Sequence, residues 1–255
     1  MNLGLEYIKY RWKAKGSSTN RSNFTQDFED KCLSINKDLK DYLLLNELIE
    51  KLNSDKSEIE IEDFGAGSKK LGNKRSIQQI LKTSSSKGKY GDFLYRICKH
   101  YAFKNILEFG TSLGIGSIHM QLGCKTTKIT TIEACKNTRE QALKNFESIA
   151  PHNITSLHST FDQYLENSNK TVFDLIFVDG HHDGQALLNY MESLREYSDN
   201  ETIFILDDIR WSDSMLNAWN TLISSDDFHI TYDLFRFGVL IRKTELEKEM
   251  VAIRL

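Results

Sequence analysis

From residue 105 onward, short apolar runs alternate with amphipathic stretches. The run NILEF at 105–109 places Ile106, Leu107 and Phe109 where a strand covered on both faces needs them, and residues 115–122 read as the helix that follows. The alternation continues through strands at 128–134, 154–158, 173–179 and 203–207, with helices near 138–149 and 185–197. Strand and helix in this order predict an α/β fold with a doubly wound sheet. The last two apolar runs, 228–234 and 237–241, are separated at Arg236 and predict an antiparallel strand pair at the end of the sheet.

Upstream of residue 90 the pattern is mainly helical. Residues 3–15 are basic and aromatic and predict a helix docked on the main domain or on a partner, and 16–23 read as a polar loop. Leu39, Tyr42, Leu43, Leu45, Leu48, Ile49 and Leu52 form a helical stripe. Ile59 and Ile61 alternate with acids ahead of Gly65 and Gly67, which suits a short exposed strand running into a lid, a connector or a second ligand loop. Residues 76–81 predict a short helix, Ser86 a cap, and 90–101 the helix before the first core strand. The chain thus divides into an N-terminal helical extension, 1–89, and an α/β domain, 90–255. Pro151, the one proline, separates a helix from a strand.

Composition narrows the function classes. A net charge of −3, with basic residues dispersed apart from short clusters such as Lys69, Lys70, Lys74 and Arg75, argues against nucleic acid as a partner. Cys32, Cys98, Cys124 and Cys135 lack metal-ligand spacing and predict reduced thiols in a cytoplasmic protein. No apolar run is long enough for stable membrane insertion, and the N-terminus lacks a signal-peptide core.

The chemistry concentrates where predicted strands end. Gly110, Gly114 and Gly116 follow the first core strand as G-x-x-x-G-x-G, whereas a pyrophosphate-binding loop requires G-x-G-x-x-G. Glu108, two residues before the first glycine, would repel a pyrophosphate and attract a cation. S-adenosylmethionine, with an ammonium and a sulfonium, fits that loop better than NAD; an ordinary strand-to-helix turn is the plain alternative. Glu133 closes the next strand, where an acid accepts hydrogen bonds from ribose hydroxyls. Asp179, Asp207 and Asp208 fall at the ends of the fourth and fifth core strands, on one rim with the glycine loop. They are suited to a divalent ion such as Mg²⁺, or to capping the helices that follow. His181 and His182 come directly after Asp179-Gly180, and an imidazole there can take a proton at physiological pH.

With Glu108, Gly110, Gly114, Gly116 and Glu133 in register, the chain from about residue 90 resembles the class I S-adenosylmethionine-dependent methyltransferases. The resemblance implies a Rossmann-like sheet and a donor site made by Glu108, Gly110, Thr111, Ser112, Gly114, Gly116 and Glu133, with Asp162 near the adenine; the plain alternative for Asp162 is the N-cap of a helix around Tyr164. The rim resembles that of the catechol-type small-molecule O-methyltransferases, which carry an aspartate after strand four and an Asp-Asn pair after strand five. This implies Asp179, Asp207 and Asp208 as metal ligands. The Asp207-Asp208 pair either tightens such a site or removes it. A lysine general base in those enzymes corresponds to His182 here, with Asp179 beside it as the second catalytic residue, and Arg210 and Trp211 fall among acceptor-pocket positions. The expected function is O-methylation of a small-molecule acceptor, with or without Mg²⁺. A catalytically inactive donor-binding interaction module and an NAD-dependent oxidoreductase are the alternatives, and a homodimer is compatible with the sequence.

Overall fold

β-Strands made only of apolar residues need helices on both faces of the sheet, and the centre of this molecule is built that way. A computed structural model describes residues 2–14, 21–34, 37–62, 74–83, 86–149 and 153–255. The first part contains α1 (Leu3–Lys13), α2 (Asn23–Ser34), α3 (Leu39–Ser54), β1 (Glu58–Glu60), β2 (Lys74–Ser76), α4 (Ile77–Thr83) and α5 (Lys89–Tyr101). The alternating part follows with β3 (Asn105–Phe109), α6 (Ile115–Gly123), β4 (Lys128–Glu133), α7 (Lys136–Ile149), β5 (Ile154–His158), α8 (Phe161–Asn167), β6 (Leu175–Val178) and α9 (Gly184–Ser193). A 3₁₀ turn at Leu194–Tyr197 leads to β7 (Ile203–Leu206), α10 (Asp213–Ser224), β8 (Ile230–Leu234), β9 (Phe237–Ile241) and β10 (Glu249–Ala252).

The large sheet runs β10-β8-β9-β7-β6-β3-β4-β5. Strands β3 to β7 are mutually parallel, and β9 lies antiparallel between β7 and β8, as the two C-terminal apolar runs predict. The order reverses between β3 and β6, so the crevice at the carboxyl ends of these strands is the place where a doubly wound sheet takes its ligand. β6 and β7 (LIFV and IFIL) are buried along their whole length.

The helices before residue 90 join the same core. Helix α1 docks through Tyr10, whose hydroxyl donates to the Ile253 carbonyl at 2.5 Å, and through Tyr7, edge-on to Phe235 at 5.0 Å. Helix α2 sends Phe28 and Cys32 into the cluster beneath β8 and β9. Leu45, Leu48 and Leu52 of α3 join Ile77, Ile80 and Leu81 of α4 against α6 and α7.

Four elements go beyond the sequence expectation: α2, β2, α10 and β10. Helix α10 has a readable start, since the Ser212 hydroxyl accepts from Met215 N, and a readable apolar face at Met215, Ala218, Trp219 and Leu222. Strand β10 (EMVA) has no such signal; it is four residues long with Met250 exposed, and it is a strand because it pairs parallel with β8. Gly65, Gly67, Lys69, Lys70 and Pro151, and most of the predicted 16–23 loop, lie outside the described residues. Among the described residues no helix is long and apolar enough to cross a membrane.

The two faces of the sheet are fitted closely. A Cβ added at Gly238 in β9 would meet Trp219 Cζ3 of α10 at 2.4 Å, and Trp219 is 2% exposed. Gly238→Ala should therefore destabilise the fold by about 1–3 kcal/mol through overpacking, with a shifted tryptophan emission and an earlier urea midpoint as the readouts.

Candidate active site

Parallel strands ending together bring five backbone loops to one rim. Asp179 N donates to the Phe109 carbonyl at 2.8 Å and Asp207 N to the Val178 carbonyl at 2.9 Å, so the acids after β6 and β7 are latched to the strand beside them. Gly110 N donates to the Ile132 carbonyl at 3.0 Å, which fixes the glycine loop to β4. At Gly110 the backbone has φ 98°, and a Cβ there would lie 1.8 Å from the Asp179 carbonyl oxygen. Only glycine allows the β3 loop to pass this close to the β6 loop. Gly114, at φ 78°, makes room for Phe146 of α7, and Gly116 makes room for the Glu108 carboxylate. The glycine spacing thus answers first to neighbouring protein atoms.

A small pocket, about 190 Å³ of empty space when the solvent-open part is counted, lies at this rim, lined by Ser86, Glu108, Gly110, Thr111, Ser112, Ile115, Gly116 and Asp179. Five of the predicted donor residues line it, together with Asp179. Gly114 sits behind it against α7. Glu133 accepts from Ser112 N through Oε2 and from Cys135 N through Oε1, both at 2.9 Å. The Ala134 backbone N–H is a third donor to this carboxylate, which leaves part of its acceptor capacity open. Asp162 is exposed in the first turn of α8, which is capped by Thr160 in a capping box with Gln163.

Ser86 is a correction. The residue expected to cap α5 does not do so; Gly88 holds the cap position without a side-chain bond, and Ser86 is 2% exposed. Its hydroxyl and that of Ser112 are buried without a hydrogen-bond partner. Two orphaned hydroxyls in the lining of one pocket are what a polar ligand would satisfy.

Burial governs the electrostatics. Glu108 is 1% exposed and accepts from the Ser117 hydroxyl. Desolvation pushes its carboxyl up to about 7, against the hydrogen bonds from Ser117 and Thr131. Burial likewise raises Asp179 to about 7, with Arg236 opposing the shift. Asp207 is pushed well above the ordinary carboxylate range by burial and by Asp179 and Asp208 beside it, again opposed by Arg236.

The acid cluster differs from the expected ligand set. Asp179, Asp207 and Asp208 do share the rim, and they do not cap helices: Asp183 caps α9 and Ser212 caps α10. Both Asp207 oxygens, however, accept from the guanidinium of Arg236, Oδ1 from Nε at 2.6 Å and Oδ2 from Nη2. Arg236 Nε also lies 3.1 Å from Asp208 Oδ1. With both Asp207 oxygens and Asp208 Oδ1 committed to a fixed cation, the cluster lacks most of the open oxygen ligands that the expected three-aspartate Mg²⁺ site requires. Among the described residues, no group of three or more His, Cys, Asp or Glu is arranged to hold a metal ion.

His182 stands at the edge of the cluster, its Nε2 3.9 Å from Asp208 Oδ2 and its ring 5.4 Å from that of Trp211, which is 62% exposed. His181 turns away, with Nδ1 2.9 Å from the Tyr190 hydroxyl. Arg210 is committed elsewhere, to Asp233 and to the Phe235 carbonyl at 2.7 Å. Ser112, His181, His182, Asp208 and Phe235 all have positive φ. Non-glycine residues held this way are concentrated at the rim, as is common where a fold holds a functional loop.

These loops give the matched family its meaning. Residues 107–209 match a methyltransferase domain. The match spans Glu108, the glycine loop, Glu133, Asp162, Asp179, Asp207 and Asp208, and stops short of Arg236. In sequence, no curated protein matches the chain. In fold, the SAH-bound methyltransferase PaMTH1 of Podospora anserina is similar at 15% identity, over 89% of this chain and 98% of that one, with a TM-score of 0.62. The O-methyltransferase from Bacillus cereus in complex with SAH aligns at 18% identity over 85% and 96%, TM-score 0.58. TomG from Streptomyces achromogenes, an O-methyltransferase in complex with SAM, aligns at 14% identity over 86% and 96%, TM-score 0.56. The chain resembles the class I methyltransferases in the matched domain and in the doubly wound sheet.

Two residues of the rim escape sequence reasoning. Ser86 lies in a serine-rich stretch that reads as a loop, and Arg236 lies in a hairpin turn 29 residues beyond Asp207. A lone arginine between two apolar strands is the only available signal for it.

Glu108 gives a pH test. Its folded value of about 7 lies above the ordinary 4.5, so between those values the folded chain binds the extra proton and stability falls as pH rises. Glu108→Gln removes this loss. Its stability relative to wild type should rise by up to about 3 kcal/mol between about pH 4.5 and about pH 8, read from urea midpoints. A difference independent of pH would contradict the burial assigned to this carboxyl.

Proposed function

We propose that this chain transfers a methyl group from S-adenosylmethionine to an oxygen of a small-molecule acceptor. The observation that supports the reading most is the convergence of the buried Glu108 and the half-buried Gly110, Ser112 and Asp179 on one pocket at the switch point of the sheet. A carboxylate in that lining suits the donor's cationic end, and the unpartnered Ser86 and Ser112 hydroxyls suit its polar groups. Glu133 keeps remaining acceptor capacity for a ribose hydroxyl, and Asp162, in the first turn of α8 after the next strand, serves the adenine end. The backbone of Thr111, Gly114 and Gly116 shapes the loop between them.

When bound, the donor supplies an electrophilic methyl on a sulfonium: the acceptor oxygen forms the new O–C bond, the C–S pair returns to sulfur, and the acceptor's proton leaves to a base. His182 takes that proton, with Asp208 at 3.9 Å to favour the imidazolium that results. Asp179, which burial holds partly protonated near neutral pH, orients the acceptor by hydrogen bonding. Trp211 offers a planar wall beside His182. Much of the rate comes from holding the oxygen, methyl and sulfur in line. The N-terminal extension, of which Ser86 reaches the pocket, selects the acceptor. The free thiols suit a cytoplasmic setting, and the net charge of −3 suits a small-molecule partner rather than nucleic acid.

Calorimetric titration with S-adenosylhomocysteine tests the reading. Micromolar binding is expected, weakened about tenfold or more in Glu133→Ala through the lost charged hydrogen bonds, with the melting temperature measured beside it because Glu133 also ties two loops. NADH should give no heat. Absence of S-adenosylhomocysteine binding by the wild type would overturn the proposal.

A further inference from the structure

Arg236 is placed by the fold with unusual care for a turn residue. It sits between β8 and β9, and Phe235 before it has φ 74°. The turn is held to the loop after β7 by Ile209 N, which donates to the Arg236 carbonyl at 3.1 Å, and by Arg210, which pairs with Asp233 and donates to the Phe235 carbonyl. The guanidinium then spans Asp207 and Asp208 and lies over the rings of Tyr90 and Phe237, with Cζ at 5.5 and 5.8 Å from their centroids. Its side chain is 26% exposed while that of Asp207 is fully buried, so the guanidinium is the solvent-facing partner of the pair.

We infer that Arg236 is the resident cation of this rim, occupying the position a divalent ion would need, and that methyl transfer here proceeds without a metal. The inference rests on the methyltransferase reading for its second half only. A guanidinium fork matches two carboxylate oxygens in a plane and is weakly hydrated, so it stays with a buried acid where an ammonium would demand water. A doubly charged ion entering the same cluster would have to displace a bidentate partner and remain beside its positive charge. Carboxylates already neutralised in this manner give it little in return. The aromatic faces of Tyr90 and Phe237 add attraction for a cation that can stack, which a hydrated ion cannot use.

The test is a Mn²⁺ titration followed by electron paramagnetic resonance, on the full chain and on Arg236→Met, with S-adenosylhomocysteine calorimetry on the same samples. The wild type should leave the free Mn²⁺ signal intact at millimolar ion, and Arg236→Met, once its vacated acids are open, should deplete it saturably. Arg236→Lys covers the case in which the methionine variant fails to fold: retaining a cation, it should stay metal-free. Saturable Mn²⁺ binding by the wild type, abolished in Asp208→Asn, would overturn the inference, as would a folded Arg236→Met that binds none. A protein that excludes Mn²⁺ but does not bind S-adenosylhomocysteine would retain Arg236 as the resident cation and remove only the methyl-transfer reading.

Discussion

The close passage of Gly110 over the Asp179 carbonyl is the constraint on which the site depends. Two parallel strands that end side by side normally send their loops apart, because side chains keep the backbones separated. Here the missing Cβ lets the β3 loop lean on the β6 loop. Asp179 N and the Phe109 carbonyl complete the contact from the other side. Everything at the rim is referred to that joint: the glycine loop on one flank, the acids after β6 and β7 on the other, and the pocket between them.

Such a joint carries an electrostatic cost, since it draws Glu108, Asp179 and Asp207 out of water together. The protein meets it in three ways. Glu108 receives hydroxyl bonds and sits near neutrality. Asp179 also rises to about 7 and is partly protonated at physiological pH. Asp207 takes a guanidinium from the turn that leads into the neighbouring strand β9. The C-terminal hairpin therefore has an electrostatic task as well as an architectural one. Its turn is tied by Arg210 to Asp233, so that the charge on Arg236 arrives where the buried acid needs it.

Much of the fold was legible in the chain. Residues 154–158 and 237–241 coincide with β5 and β9, and the other core strands and helices differ at their ends by a few residues. The reason is that strands covered on both faces must be apolar throughout, and helices lying on them must repeat near every fourth residue. Helix α2 was hidden by its weak stripe, and β10 by its shortness; each is stable through the surface it meets, Phe28 against Tyr232 in one case and the β8 edge in the other. At the site, Glu108, the glycines and the three aspartates could be found because each ends an apolar run.

What the sequence determined alone was local and periodic: which stretches are strands, which are helices, that the sheet is doubly wound, and that acids and glycines punctuate the strand ends. Those properties depend on residues a few places apart, and a single chain displays them directly. The tertiary structure decided which punctuating residues meet. It placed Ser86 in the pocket lining rather than at a helix cap, gave the glycines protein neighbours as their first reason, and set Arg236 on Asp207 across 29 residues of sequence. Pairing of buried charges is settled by distance and dielectric in the folded molecule, and neither quantity has an image in residue order.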